Sequence, residues 1–203
     1  MKEPKKVGIL LSGRGSNFLA LSDAAESGRI PAEIALVISN RQEAPGLAHA
    51  RQRGYRALFL PSKGREREEF DREVVKQLKD AGVEIVCLAG FMRLLSPYFI
   101  RSFPMQILNI HPSLLPAFPG LHAQRQALEW GVKVTGCTVH FVDEDLDHGP
   151  IIVQRAVSVL EDDTEETLST RILEQEHLAY PEALGIVCEG RWRIAGRRLL
   201  VQR

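Results

Sequence analysis

The chain has 203 residues, 44% hydrophobic and 26% charged, with a formal net charge of zero; this suits a substantial globular core and offers no basic field to gather nucleic acid or anionic membrane. Cys87, Cys137 and Cys188 are odd in number and widely spaced, which fits reduced thiols and excludes a disulfide framework or a zinc site. No apolar run reaches membrane-spanning length and Met1 leads into a strand without a signal-like core, so a cytoplasmic location is expected.

Val7 to Leu11 is a continuous apolar run, the pattern of a strand buried on both faces. A Gly-rich loop, Ser12 to Asn17, precedes a helix from Phe18 to about Ser27. Strands are then expected at Ile34 to Ser39, Ala57 to Leu60, Val83 to Ala89 and Met105 to Ile110, with helices at Ala44 to Arg53 and Glu66 to Ala81. This alternation predicts an α/β fold with a doubly wound, mostly parallel sheet, Rossmann-like in layout. Val134 to Val142 and Ile151 to Val159 alternate in polarity and flank a turn, so they are expected as late strands, at least one antiparallel. A long helix should run from Thr164 to about Cys188, with Glu165 and Glu166 in its first turn. Trp192 to Val201 suggests a small hairpin turned at Ala195-Gly196. No linker or repeat interrupts the chain, so one domain spanning 1–203 is expected.

Three features carry chemistry. Asn109 and His111 lie two apart at the end of a strand and so project to one face, with Pro112 stopping the ladder behind them. An amide there can stabilise an oxyanion and an imidazole can move a proton; the bland alternative is a satisfied polar pair closing a strand. Asp147, in Asp145-Leu146-Asp147-His148-Gly149-Pro150, adds a carboxylate on a turn, although a turn former is all that its context requires. The loop Ser12-Gly13-Arg14-Gly15-Ser16-Asn17 opens a helix, where glycines and helix N–H groups suit a single phosphate. It matches neither the dinucleotide fingerprint nor the P-loop, and a tight turn with Ser16 or Asn17 as N-cap is the plain alternative.

Together with Leu88 to Ser96, Asn109 to Pro116, Pro119 to His122, Gln126 to Leu128, Leu146 to Pro150 and Gln175 to His177, these motifs make the chain resemble the phosphoribosylglycinamide (glycinamide ribonucleotide) formyltransferases, folate-dependent enzymes of purine synthesis. The resemblance covers nearly the whole chain. It implies a phosphate-binding half over about 1–100 and a catalytic and folate half over about 101–203. It implies Asn109, His111 and Asp147 as the catalytic trio, and Gly15, Ser16, Asn17 and Glu176 as contacts of the ribonucleotide. It implies folate contacts from Arg67, Met92, Arg93, Leu94, Leu95, Asn109, Val142 and Asp143. It also implies a cis peptide at Leu115–Pro116. Among the folate residues Arg93 is the most telling, because a guanidinium suits the carboxylates of a folate tail. Taken alone, Glu176 would be a solvated residue on a charged helix. His49, His122, His140 and His177 are read as structural, although His140 lies in the strand leading to the Asp147 turn. Arg14, Gln124 and His148 depart from the residues common in the family.

The activity implied is transfer of the formyl group of 10-formyltetrahydrofolate, as co-substrate, to the amine of the ribonucleotide, with no metal. The partners implied are small molecules, on a monomer or weak homodimer. Asp147 is expected to favour a charged His111, and both substrates are expected to meet at the carboxyl ends of the parallel strands. The alternatives are a formyltetrahydrofolate hydrolase, whose relatives usually carry an extra regulatory domain, a methionyl-tRNA formyltransferase, which would need an added domain and basic surface, and a non-catalytic nucleotide-binding α/β domain.

Overall fold

Val7 to Leu11 are all buried in strand β1 (Lys5–Leu11), as an unbroken apolar run requires. The computed structural model describes residues 3–202 and divides into two compact units, with the boundary between Leu108 and Asn109. In the first unit β1 is followed by α1 (Ser16–Glu26), β2 (Ala32–Ser39), α2 (Pro45–Gln52), β3 (Ala57–Phe59), α3 (Arg67–Asp80), β4 (Ile85–Leu88) and α4 (Pro97–Ser102). These strands lie in the order β3-β2-β1-β4, every pair parallel. Parallel neighbours need crossover connections, which the helices provide. The order reverses beside β1, so the loops after β1 and β4 leave the sheet at a topological switch point.

Packing explains why glycine stands at position 8. A Cβ there would fall 2.4 Å from Leu78 Cδ2, so α3 can press directly onto β1. Helix α4 was not expected from the sequence, yet its start is encoded locally. Ser96 Oγ accepts from the Phe99 N–H at 3.3 Å and Pro97 occupies the first helical position.

Strand β5 (Ile107–His111) contains the boundary between the units. The second unit continues with α5 (Ala123–Trp130), β6 (Val134–Phe141), β7 (Ile151–Ser158), α6 (Glu165–Glu189), β8 (Trp192–Ala195) and β9 (Arg198–Val201). Here the order is β6-β7-β9-β8, with β6 and β7 antiparallel and β9 joining β7 in parallel at Ile151 and Arg198. Residues 135–141 of β6 are buried without alternation, including Thr135, Thr138 and His140. The expected half-exposed pattern therefore fails in β6, whereas β7, which α6 also packs against, keeps exposed positions. Helix α6 begins with a reciprocal capping box, in which Thr167 N–H donates to Thr164 Oγ1 at 3.2 Å and Thr164 N–H to Thr167 Oγ1 at 2.9 Å. It ends on Gly190 in the left-handed region and carries Pro181 within its length. The fold is thus α/β, mostly parallel, with a late antiparallel pair and a long helix toward the C-terminus. All three cysteines are buried and none is joined in a disulfide.

Candidate active site

Strand β5 presents Asn109, half-buried, and His111, 5% exposed, at positions two apart. The turn after β6 brings Asp147 to them, with Asp147 Oδ2 3.3 Å from His111 Nδ1 and both side chains nearly buried. The same oxygen accepts from the Gly120 N–H at 2.8 Å. Asp147 takes this position with φ at 50°, the left-handed region that a non-glycine residue enters at a cost of roughly 1–3 kcal/mol.

His140 completes the cluster, although its sequence context suggested only a structural role. Its Nε2 lies 3.2 Å from Asn109 Nδ2 and 3.7 Å from Asp147 Oδ1. Its Nδ1 lies 2.8 Å from the Phe141 carbonyl, which can only accept. The signal available in the sequence was its place on the strand that feeds the Asp147 turn.

His111 Nε2 donates to the Phe118 carbonyl at 2.8 Å. In the neutral ring, Nδ1 then turns its lone pair toward Asp147. Burial pushes the His111 imidazole below its ordinary value, and this outweighs the opposing pull of the Asp147 carboxylate and the Phe118 carbonyl. Asp147 does favour the charged ring, as expected, but burial outweighs it, so the resting ring is the neutral form over most of the neutral range. For Asp147 the balance falls the other way. Burial would raise its carboxyl, but His140, the Gly120 N–H and His111 together hold it below the usual range.

In the first unit, Gly15 is the N-cap residue of α1 at φ 79°, and no side chain caps the helix. The alternative of a Ser16 or Asn17 cap is thereby set aside, since Ser16 already begins the helix. Gly15 lies against Gly46, whose Cα would stand 2.6 Å from a Cβ at position 15. The Gly46 N–H donates to the Gly13 carbonyl at 3.1 Å. A left-handed glycine at an open helix start is a cradle for a compact anion. Gly46, at the start of α2, supports that cradle and was not singled out in the sequence.

Behind the loop runs a polar chain. The Ser12 hydroxyl donates to Asn40 Oδ1 at 2.6 Å and accepts from the Met92 N–H at 2.9 Å, while Asn40 Nδ2 donates to Ser62 Oγ at 3.0 Å. A cavity of about 500 Å³ opens beside it, bounded in part by Arg41, Lys63, Met92 and Arg93. Arg93 Nη1 donates to the Ser62 carbonyl at 3.0 Å and its guanidinium lies 4.9 Å from the Phe70 ring centre. Its Nε is buried and finds no partner among the described residues. Leu94 is 54% exposed, and Leu94, Leu95 and Arg67 do not line this cavity. Arg67 stands exposed in the first turn of α3.

In the second unit, Val142 and Asp143 begin the loop that carries Asp147, and Asp143 Oδ2 lies 3.0 Å from His148 Nδ1. Glu176 is 7% exposed, not solvated as an isolated helix residue would be. Burial first, and then the charge of Glu176, push the Cys137 thiol up to about 12.

A profile of the family described as "Formyl transferase" matches residues 5–184. The chain is 42% identical over 187 residues to the phosphoribosylglycinamide formyltransferase of Escherichia coli (strain K12), covering 92% of this chain and 88% of that protein. It is 50% identical over 189 residues to the trifunctional purine biosynthetic protein adenosine-3 of Drosophila melanogaster, covering 92% of this chain. The match spans only 14% of that longer protein. Glycinamide ribonucleotide transformylase 1 from Symbiobacterium toebii has the same fold, with a TM-score of 0.98 and 51% identity over 100% of this chain and 96% of its own.

Proposed function

The chain belongs to the formyl transferase family, and from this premise we propose that it transfers the formyl group of 10-formyltetrahydrofolate to the amine of N1-(5-phosphoribosyl)glycinamide, a step of purine synthesis. The observation that carries the reading is the cluster of Asn109, His111 and Asp147, oriented by His140, within the second unit.

Formyl transfer needs an oxyanion donor, an acceptor for the proton of the attacking amine, and a stabiliser for the charge that follows. Asn109 supplies the donor. One N–H of its amide is spent on His140, which leaves the other for the developing oxyanion. His111 supplies the acceptor, since burial keeps its imidazole neutral. Once the ring is protonated, the 3.3 Å approach of Nδ1 to Asp147 becomes an ion pair. The carboxylate thus stabilises the imidazolium formed during the reaction, not the resting ring, and the imidazolium returns its proton to the leaving folate nitrogen as the oxyanion collapses and the old formyl C–N bond breaks.

The first unit supplies binding. The open start of α1, with Gly15, Ser16 and Asn17, suits the ribonucleotide phosphate. Arg93 with Met92, beside the cation-lined cavity, suits the folate and the carboxylates of its tail, and Leu94, Leu95 and Arg67, which lie off that cavity, are assigned to the folate through the family resemblance. Val142 and Asp143 are assigned to the folate through the loop they begin. Glu176 is assigned to the ribonucleotide through its buried carboxylate.

One assay tests the reading: deformylation of 10-formyltetrahydrofolate followed with and without the ribonucleotide. Dependence on the ribonucleotide, with formylated product, is expected. Equal turnover without it would identify a hydrolase and overturn the proposal.

A further inference from the structure

Arg197 sits on the turn between β8 and β9, outside the residues matched by the family profile. The parallel pairing of β9 with β7 at Ile151 and Arg198 brings this turn beside the end of the Asp147 loop. There Arg197 Nη2 donates to the His148 carbonyl, and Nη1 lies against the ring, 2.8 Å from Nε2 and 3.4 Å from Nδ1. His148 Nδ1 in turn donates to Asp143 Oδ2 at 3.0 Å, with Asp145 Oδ2 at 3.7 Å. Arg197 and Asp147 border the same cavity, of about 260 Å³.

We propose that Arg197 is a positioning residue for Asp147, holding the backbone that follows it so that the carboxylate stays against His111. The proposal rests on the reading of Asp147 as a reacting group. Its logic is local. Asp147 has a left-handed backbone conformation, which is kept only where its surroundings fix it. Two of its anchors belong to the second unit's own backbone. Gly120 N–H holds the carboxylate, and Gly149 packs so tightly that a Cβ there would fall 1.8 Å from the Phe141 carbonyl oxygen. Between Asp147 and Gly149 lies only His148, which is exposed, and Arg197 grips both its ring and its carbonyl. An exposed guanidinium contact adds little to global stability. Its loss should therefore appear in the chemistry and not in unfolding.

The test compares Arg197→Ala, Arg197→Lys, Asp147→Asn and the double variant Arg197→Ala with Asp147→Asn. Steady-state kinetics in both substrates and thermal unfolding are measured for each. Arg197→Ala should lower kcat about tenfold, short of the roughly 10²-fold that a misplacement near 1 Å costs. Both KM values and the thermal midpoint should stay unchanged. Arg197→Lys should recover part of the loss, because one ammonium can reach the carbonyl but cannot span carbonyl and ring together. On the Asp147→Asn background, Arg197→Ala should have no further effect. A normal kcat in Arg197→Ala, with Asp147→Asn impaired, would overturn the role of Arg197 alone. A kcat loss repeated in full on the Asp147→Asn background, or a lowered midpoint with raised KM values, would overturn it as well. A normal kcat in Asp147→Asn would instead remove the reading of Asp147 on which the proposal stands.

Discussion

His140 accepts a hydrogen bond from Asn109: the amide Nδ2 stands 3.2 Å from the ring Nε2, while Nδ1 gives its proton to the Phe141 carbonyl at 2.8 Å. The neutral tautomer protonated on Nδ1 serves both partners, whereas a proton on Nε2 would be given to Asp147 Oδ1, 3.7 Å away, which is how His140 holds that carboxyl down. The backbone carbonyl therefore selects the tautomer, and the tautomer selects which way the Asn109 amide faces. An asparagine turned the other way would point its carbonyl, not an N–H, toward His140.

Asn109→Ala removes an oxyanion donor and should lower kcat by about 10²–10³. His140→Ala leaves the amide free to rotate, so it should lower kcat by less. The double variant should lose little beyond Asn109→Ala alone, because His140 acts partly through Asn109. A double-mutant cycle in kcat checks this; losses that multiply would show the two residues to be independent.

The pH dependence follows from the signs of the shifts. Burial lowers the His111 imidazole and Asp147 pulls it up, so Asp147→Asn should move the acid limb of kcat to lower pH while reducing its plateau. The pH–rate profiles of the two proteins decide, and an upward or absent shift would contradict the arrangement. The same burial acts on stability. The unfolded chain protonates His111 near the ordinary value of about 6.5 and the folded chain at lower pH, so the fold loses stability as pH falls from that value. Asp147, whose carboxyl is lowered, adds to the loss further into the acid range. Denaturant midpoints for the parent and His111→Gln between neutral and acid pH should converge as the histidine contribution is removed.

Gly15 and Gly46 form a contact that admits no side chain on either partner. A Cβ at 15 would meet Gly46 Cα at 2.6 Å, and a Cβ at 46 would meet Gly15 Cα at 2.9 Å. Gly15→Ala also forces an L side chain into φ 79°, which costs roughly 1–2 kcal/mol before any clash. Both Gly15→Ala and Gly46→Ala should lower the thermal midpoint and raise the KM for the ribonucleotide, leaving that for the folate nearly unchanged. An equal rise in both KM values would refute the assignment of this loop to the phosphate.

Arg93→Ala should raise the folate KM about tenfold or more, the scale of a charge-assisted hydrogen bond of roughly 1.5–3 kcal/mol. The ribonucleotide KM should not follow. Arg93→Lys should recover little, because the guanidinium both lies against Phe70 and donates to Ser62. Initial-rate measurements varying each substrate in turn provide the check.

The strands that read clearly in the sequence were those whose burial depends on one unbroken apolar run, as at Val7 to Leu11. Asn109 and His111 were legible because a strand sets their spacing. What escaped was of two kinds. Helix α4 and the left-handed start of α1 rest on three- and four-residue capping patterns, weak against the longer periodicities around them. His140 and Arg197 owe their significance to neighbours far away in sequence, Asn109 at 31 positions and His148 at 49. Burial is equally non-local, which is why the polar residues of β6 and Glu176 looked exposed on paper.

The three cysteines have a practical consequence. Cys87, Cys137 and Cys188 are 0%, 0% and 4% exposed, and the Cys137 thiol is held in its protonated form. Buried thiols of this kind react slowly with alkylating probes. A single cysteine introduced at Leu121, 71% exposed and two positions before α5, would be labelled selectively without first removing the native ones. A fluorophore there would ride on the segment that contributes Phe118 and Gly120 to the reacting cluster, making its movements on substrate binding directly visible.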